Sequence, residues 1–410
     1  MKIAIIDADL VGRKKHRFPN LVCMKLSAYH KQMGDQVSLK MDYEEIDEYD
    51  RVYISKVFTD TVIPGEPEDK SNKNCNNISE WYKENEFLKR KNIVYGGTGF
   101  FYENSPDLPY EVEHIMPDYH LYDDWVNEKL HEGINEDDED REAIIRKRRK
   151  DFVYYLDYSI GFLTRGCFRK CQFCVNRNKN KCVVASPIDE FVDKDRPKIC
   201  LQDDNFFACA EWEKLILDLK RTGKAFQFKQ GLDERLLTEK KIEALFNCKT
   251  DGDLIFAFDN IEDREVIEEK LRMIRLLYPD SKKTIKFYTF VGCDRKEQYD
   301  SNFWKQDIFD CFKRIEILMN YKCIPYITRF EKYVESPYRG MYVNLARWCN
   351  QPSFFKKKSF REFCKANGET SACYKYMDEF EKLYPEISYY LDLKFEKENH
   401  AKYSTCKEKR

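Results

Sequence analysis

Residues 158–177 read YSIGFLTRGCFRKCQFCVNR. The first six, YSIGFL, are an apolar run of the length of a buried strand. Cys167, Cys171 and Cys174 then follow at C-x3-C-x2-C, on a loop beyond that strand. Three thiolates at this spacing ligate three irons of a four-iron cluster and leave the fourth iron open. A closed structural zinc site takes four ligands, commonly in paired C-x-x-C units. Cys182 is the nearest fourth candidate and completes no obvious pair. Three buried or zinc-binding cysteines are the competing reading.

On the C-terminal side of the triplet, strand-like and helix-like stretches alternate. KICLQ (198–202), AFQFKQ (225–230), DLIFAFD (253–259), TIKFYTFV (284–291) and CIPYITRF (323–330) read as strands. Between them lie the helical patterns WEKLILDLKR, TEKKIEALFN, REVIEEKLRMIRLL and FWKQDIFDCFKRIEILMN. With YSIGFL this makes about six strand–helix units over residues 152–335. Six are too few for a closed eightfold barrel and suit a partial (β/α)6 barrel, whose chemistry sits at the C-terminal strand ends. Residues 336–410 read as a helical C-terminal segment.

The N-terminal side alternates as well. KIAIID (2–7), QVSLK (36–40), RVYISKVF (51–58) and NIVYGG (92–97) read as strands, and Phe18 to Gln32 as a helix. Residues 1–133 therefore read as an α/β domain with a doubly wound parallel sheet, in which ligands sit at strand ends. The charged stretch EDDEDREAIIRKRRK (136–150) marks residues 134–151 as a linker or a solvated helix.

The chain has 410 residues, 42% hydrophobic and 15% aromatic, enough for a real core. Its formal net charge of −2 exerts no general pull toward nucleic acid or membrane. No apolar run approaches membrane-spanning length, and MKIAIIDADL is too short and too acidic for a secretion signal, so the cytoplasm is expected. In that reducing compartment the sixteen cysteines are not expected to form disulfides. Cys200 in KICLQ and Cys323 in KCIPY read as small hydrophobes.

The triplet, with Phe173 directly before its last cysteine, resembles the signature of the radical SAM superfamily, as does its place after a first barrel strand. The resemblance covers about residues 155–335 and implies a [4Fe-4S] cluster that binds S-adenosylmethionine (SAM) at its open iron and cleaves it to a 5′-deoxyadenosyl radical. It further implies an electron-donating reductase of flavodoxin or ferredoxin type. Asp203, Asp204 and Asn205 in LQDDNFF, and Gln230, Asp233 and Arg235 in FKQGLDERLLT, resemble strand-end segments that hold SAM in such enzymes. The competing reading of Asp233 and Arg235 is a helix cap and an exposed ion pair. Gly292 in FVGCDR resembles a turn near the adenine. Phe173 is expected to pack against adenine or to shape that pocket. No histidine falls within the expected barrel, so proton or hydrogen-atom donors there must be other residues.

The N-terminal domain resembles the cobalamin-binding domain that precedes many radical SAM barrels. Asp7, Asp9 and Gly12 stand in a D-x-D-x-x-G arrangement where the family has D-x-H-x-x-G, so Asp9 occupies the position of the axial histidine. Ser55, Gly96 and Gly97 match the family's Ser and Gly-Gly elements. Two readings stay open: cobalamin bound without a histidine ligand, and a retained fold without cobalamin. The domain's two cysteines, Cys23 and Cys75, are too few for the second cluster of methylthiotransferases. Cys349, Cys364 and Cys373 are too widely spaced for an auxiliary cluster and read as buried thiols.

The substrate is left as a small molecule or a peptide. RNA modification is a rival through the basic stretches RKKHR (13–17) and FFKKKSFR (354–361), for which solvated surface is the simpler reading. Cobalamin-dependent methyl transfer is a second rival. From another class, a non-catalytic metal-binding regulator needs no strand-end site for SAM.

Overall fold

The computed structural model describes residues 1–13, 15–66, 82–135, 138–176 and 178–395. Lys14 of the basic stretch, Cys75, residues 136 and 137, Arg177 and His400 lie outside the described residues. The chain divides into two compact units. The first comprises Met1–Lys170, Cys174–Asp203 and Arg221–Phe226; the second comprises Cys171–Phe173, Asp204–Lys220 and Gln227–Arg410.

The first unit opens with the strands β1 (Lys2–Asp7), β2 (Gln36–Leu39), β3 (Arg51–Ser55) and β4 (Ile93–Gly96). They form a sheet in the order β2-β1-β3-β4 with every pair parallel. A period of two sends alternate side chains to opposite faces. Ile3 and Ile5 accordingly join one core, with Met24 and Trp125, while Ala4 and Ile6 join another, with Val52 and Phe100. A sheet covered on both faces reads as an unbroken apolar run, as IAII does.

The helix expected from Phe18 instead spans Leu21–Gln32, after a short helix at Ala8–Gly12. Phe18 precedes Pro19, which disfavours helical backbone there, and the Asn20 side chain caps the helix by accepting from the Val22 and Cys23 N–H groups. In the charged stretch, Arg141–Arg149 is a helix with no buried residue, as a solvated helix requires.

Six further strands follow: β5 (Tyr158–Gly161), β6 (Thr164–Arg165), β7 (Val183–Val184), β8 (Lys198–Leu201), β9 (Ala225–Phe228) and β10 (Leu254–Ala257). They are followed by β11 (Ile285–Val291) and β12 (Ile324–Arg329). Strands β5-β8-β9 form one sheet and β10-β11-β12 another, each in chain order. The pairs β5·β8, β10·β11 and β11·β12 are parallel. Helices Trp212–Arg221, Glu239–Phe246, Arg264–Leu277 and Ser301–Asn320 alternate with these strands as expected. The fold is thus α/β with parallel sheets, but the strands fall into two sheets of three. A local cause is visible after β9. Gly231 adopts φ +88°, interrupting the strand before Leu232 rejoins Phe256 in a parallel bridge.

The described residues beyond β12 are largely helical. Helices Arg339–Cys349, Phe360–Ala366 and Ala372–Leu383 share one core with Ser301–Asn320, through Phe312, Leu345, Trp348, Phe360 and Phe380. Among the described residues no helix is long and apolar enough to cross a membrane.

Candidate functional site

In the first unit the cysteine loop has a built base. Strand β6, which the sequence reading did not anticipate, pairs antiparallel with β7, so residues 166–182 leave and return through one narrow ribbon. Gly166, the first residue of the loop, has φ +91°, and a Cβ there would lie 2.3 Å from the Lys181 carbonyl oxygen. Asp203, at the end of β8, holds the approach to the ribbon. Its buried carboxylate accepts from Leu163 N (3.3 Å), Thr164 N (2.7 Å) and Thr164 Oγ1 (2.6 Å). The half-buried Cys167 and Cys174 sulfurs each accept a backbone N–H two residues on, from Arg169 at 3.3 Å and Asn176 at 3.4 Å.

Asp203 therefore acts on the strand that carries the loop. With alanine there, two buried N–H groups lose a charged acceptor, at a cost of about 3 kcal/mol. The expected outcome for Asp203→Ala is a lower denaturant midpoint together with reduced iron uptake, while Asp203→Asn, which keeps one acceptor oxygen, falls between. Wild-type midpoint and iron content in Asp203→Ala would remove this role.

In the second unit, residues 171–173 sit at the C-terminal end of β11. The Phe173 and Phe290 ring centroids are 4.0 Å apart, and Gln172 Nε2 donates to Glu297 Oε1 at 2.8 Å. Arg235 donates to Asp233 at 2.7 Å and to Asp263 at 2.8 Å, and Asn205 Nδ2 lies 3.4 Å from Asp233 Oδ2. Burial acts to lower the Arg235 pKa, but the hydrogen bond to Asp233 and the charges of Asp233, Asp263 and Cys171 outweigh it. A firmly cationic guanidinium is thus placed within electrostatic reach of the Cys171 sulfur. This is neither a helix cap nor an exposed pair: Asp233 makes no capping hydrogen bond and is buried. Asp204 is half-buried, Gln230 is exposed, and Gly292 has φ +79°.

The rim behind these residues is clamped by groups that were not singled out in the sequence. Arg314, 1% exposed, donates to the carbonyls of Phe258, Asp259 and Phe290, at the ends of β10 and β11. Asp259 accepts from Phe290 N, and Asp307 accepts from Gly292 N (2.7 Å) and Tyr342 Oη (2.8 Å). A signal was present: Asp307 and Arg314 are seven residues apart on the face of the helix that buries Trp304, Ile308, Cys311 and Ile315.

The N-terminal set lies level at the strand ends, since Asp7 pairs in register with Ser55 and Ser55 with Gly96. Its polar groups are engaged within the domain. Asp9, 1% exposed, accepts from Val57 N, Phe58 N and Thr61 Oγ1, organising residues 57–61. Ser55 Oγ accepts from Asn20 at 2.9 Å, and Asp7 accepts from Tyr122 Oη at 2.9 Å. Gly97 permits a close approach to Lys56, whose carbonyl oxygen would lie 2.3 Å from an added Cβ, and a Cβ at Gly12 would meet Thr61 at 3.0 Å. Only open space faces a Cβ at Gly96. An axial ligand from position 9 does not fit this arrangement, because the Asp9 carboxylate is already committed to the 57–61 backbone.

Burial pushes the Asp7 carboxyl up to about 7 from its ordinary 3.8, against the lowering effect of the Tyr122 hydrogen bond. The folded state then holds this proton more tightly than the unfolded chain. Its contribution to stability is complete below about pH 3.8 and is lost as pH rises to about 7. A shift of this size corresponds to roughly 4 kcal/mol. Denaturant titrations from pH 4 to 8 are expected to show that stability falls with pH less steeply in Asp7→Asn than in the parent; parallel curves would refute the assignment.

Among the described residues, no group of three or more His, Cys, Asp and Glu side chains has the arrangement of a metal site. Comparison with protein-family models and with curated proteins finds no match to this chain.

Proposed function

We propose that this chain is a radical SAM enzyme in which Cys167, Cys171 and Cys174 hold three irons of a [4Fe-4S] cluster. The observation that carries the reading is the setting of the C-x3-C-x2-C loop. In the first unit Asp203 holds the backbone that leads into the triplet, and in the second unit the Phe173 ring lies against Phe290 near the C-terminal end of the parallel strand β11. The chemistry of the donor set suits the cluster: three cysteines within eight residues would hold three irons and leave the fourth without a protein ligand. When bound, such a cluster supplies the electron that breaks a carbon–sulfur bond of SAM.

The chain's own residues prepare for this. The Phe173–Phe290 pair offers an apolar wall suited to a purine. Asp204, Asn205, Gln230 and the Asp233–Arg235 pair are the polar groups available for the amine, carboxylate and ribose. The chain order of the strands within each of the two sheets supports reading β5 and β8–β12 as the family's partial barrel. We read the N-terminal domain as a retained cobalamin-binding-like fold, because Asp9 and Gly97 serve internal contacts. Reduction would come from a flavodoxin- or ferredoxin-type partner in the cytoplasm, and the substrate is a small molecule or a peptide.

The test is anaerobic incubation of reconstituted protein with dithionite and SAM, followed by chromatography. 5′-Deoxyadenosine above a no-enzyme control is expected. Its absence from protein with a full complement of iron and sulfide would overturn the enzymatic reading in favour of a metal-binding regulator.

A further inference from the structure

The C-terminal helices bring two thiols together away from the cysteine loop. Cys364 lies in helix Phe360–Ala366, and Cys373 is the second residue of helix Ala372–Leu383. Their sulfurs are 3.5 Å apart and both side chains are buried. We propose that Cys364 and Cys373 are a redox-active dithiol that closes to a disulfide when the protein meets a hydroperoxide.

Distance makes the bond reachable. A disulfide requires about 2.05 Å between sulfurs, so they need to close by about 1.5 Å, within the range of side-chain rotation. Two isolated buried thiols placed for packing alone have no reason to meet; each ordinarily behaves as a small hydrophobe.

The two thiols are also unequal, as a nucleophile and its resolving partner must be. Cys373 sits in the first turn of a twelve-residue helix, where unpaired N–H groups favour negative charge. The hydrogen bond shared with Cys364 holds the Cys373 thiol below its ordinary value against the opposing effect of burial, and the Arg347 charge adds to the lowering. Arg347 is fixed nearby by Asn344 and Asn367. Cys364 shifts the other way, its thiol pushed up chiefly by the same hydrogen bond and then by burial. Access differs too. Cys364 is 0% and Cys373 5% exposed, and residues 365–370 and Ala372 beside them are exposed, so a small oxidant has little cover to cross.

The steps balance. The Cys373 thiolate attacks one peroxide oxygen; the O–O bond breaks, leaving a sulfenic acid on Cys373 and releasing hydroxide, or an alkoxide from an organic hydroperoxide. The Cys364 sulfur then displaces the sulfenic oxygen, which leaves as water with the thiol proton. Both sulfurs are oxidised by one electron each, and the peroxide is reduced by two. The product ties two helices of the core that contains Ser301–Asn320.

The experiment uses the full chain, purified anaerobically and exposed to stepped hydrogen peroxide, then alkylated under denaturing conditions, digested and mapped by mass spectrometry. A peptide pair joining residues 364 and 373, lighter by two hydrogens and released by dithiothreitol, is the expected product. Cys364→Ser should instead leave a sulfenic acid on Cys373 that dimedone traps, and should raise that adduct at least tenfold. The same mapping on a variant with alanine at Cys167, Cys171 and Cys174 keeps the outcome independent of any cluster. Cys364 and Cys373 recovered as alkylated thiols, at peroxide levels that convert free glutathione in the same tube, would overturn the proposal. So would either residue paired with Cys349 or Cys311.

Discussion

Alanine at Cys167, Cys171 and Cys174 together is expected to leave a colourless protein after anaerobic reconstitution, where the parent turns brown. Iron and acid-labile sulfide should fall to background, and 5′-deoxyadenosine formation with them. The effect should be close to complete because the triplet supplies every protein ligand of the proposed cluster. The three side chains are half-buried and outside the apolar cores, so circular dichroism and the denaturant midpoint should stay near those of the parent. Full iron and sulfide in the triple variant would show the ligand assignment to be wrong. Zinc without sulfide in the parent would favour the regulator reading.

Gly166→Ala is expected to reduce cluster loading by about tenfold, although the residue offers no ligand. Two effects add there. A non-glycine residue in left-handed backbone costs about 1–2 kcal/mol. The new methyl group would also stand 2.3 Å from the Lys181 carbonyl oxygen, which is backbone and cannot swing aside. Relief requires the β6–β7 ribbon to part, and the loop loses its anchored ends. A tenfold loss corresponds to about 1.4 kcal/mol, so the estimate asks little of the clash. Gly368→Ala separates the two effects: Gly368 has the same φ of +91° but nothing within 4 Å of an added Cβ. It should cost some stability and leave iron content unchanged. Equal iron loading in both variants and the parent would show that the ribbon does not govern the site.

How far the sequence disclosed this arrangement varied with the kind of feature. The long strands were legible because their apolar runs have no competing explanation; IKFYTFV alternates buried and half-buried residues along its length. Strand β6 was not, since two residues carry no period, and Gly166 reveals its constraint only once Lys181 is beside it. Asp203 was legible as a strand-end carboxylate but not as a holder of Leu163 and Thr164, because the N–H groups that donate to it lie 39 and 40 residues away. Arg235 showed its ion pair with Asp233 by proximity in sequence, whereas its position near Cys171 depends on tertiary structure. Cys364 and Cys373, nine residues apart on two helices, meet because of the turn between them. Spacing alone argues against such a meeting.

The clamp at the ends of β10 and β11 bears on how this part of the molecule comes apart. Tyr342 belongs to helix Arg339–Cys349, yet its hydroxyl ends on the same Asp307 oxygen that receives the Gly292 amide, and Arg314 gathers carbonyls from both strands. Opening the C-terminal helices therefore exposes a buried carboxylate and frees the rim in one event. Native-state hydrogen exchange should register this as a shared opening free energy for the amides of Phe290, Gly292 and residues of helix Arg339–Cys349. A protease nick within 336–338 would then act on strand ends some forty-five residues upstream, roughly the separation of Gly292 and Ser336. The tail behaves as a latch on the rim, and its removal by truncation would be felt as lost cooperativity before any loss of the strands themselves.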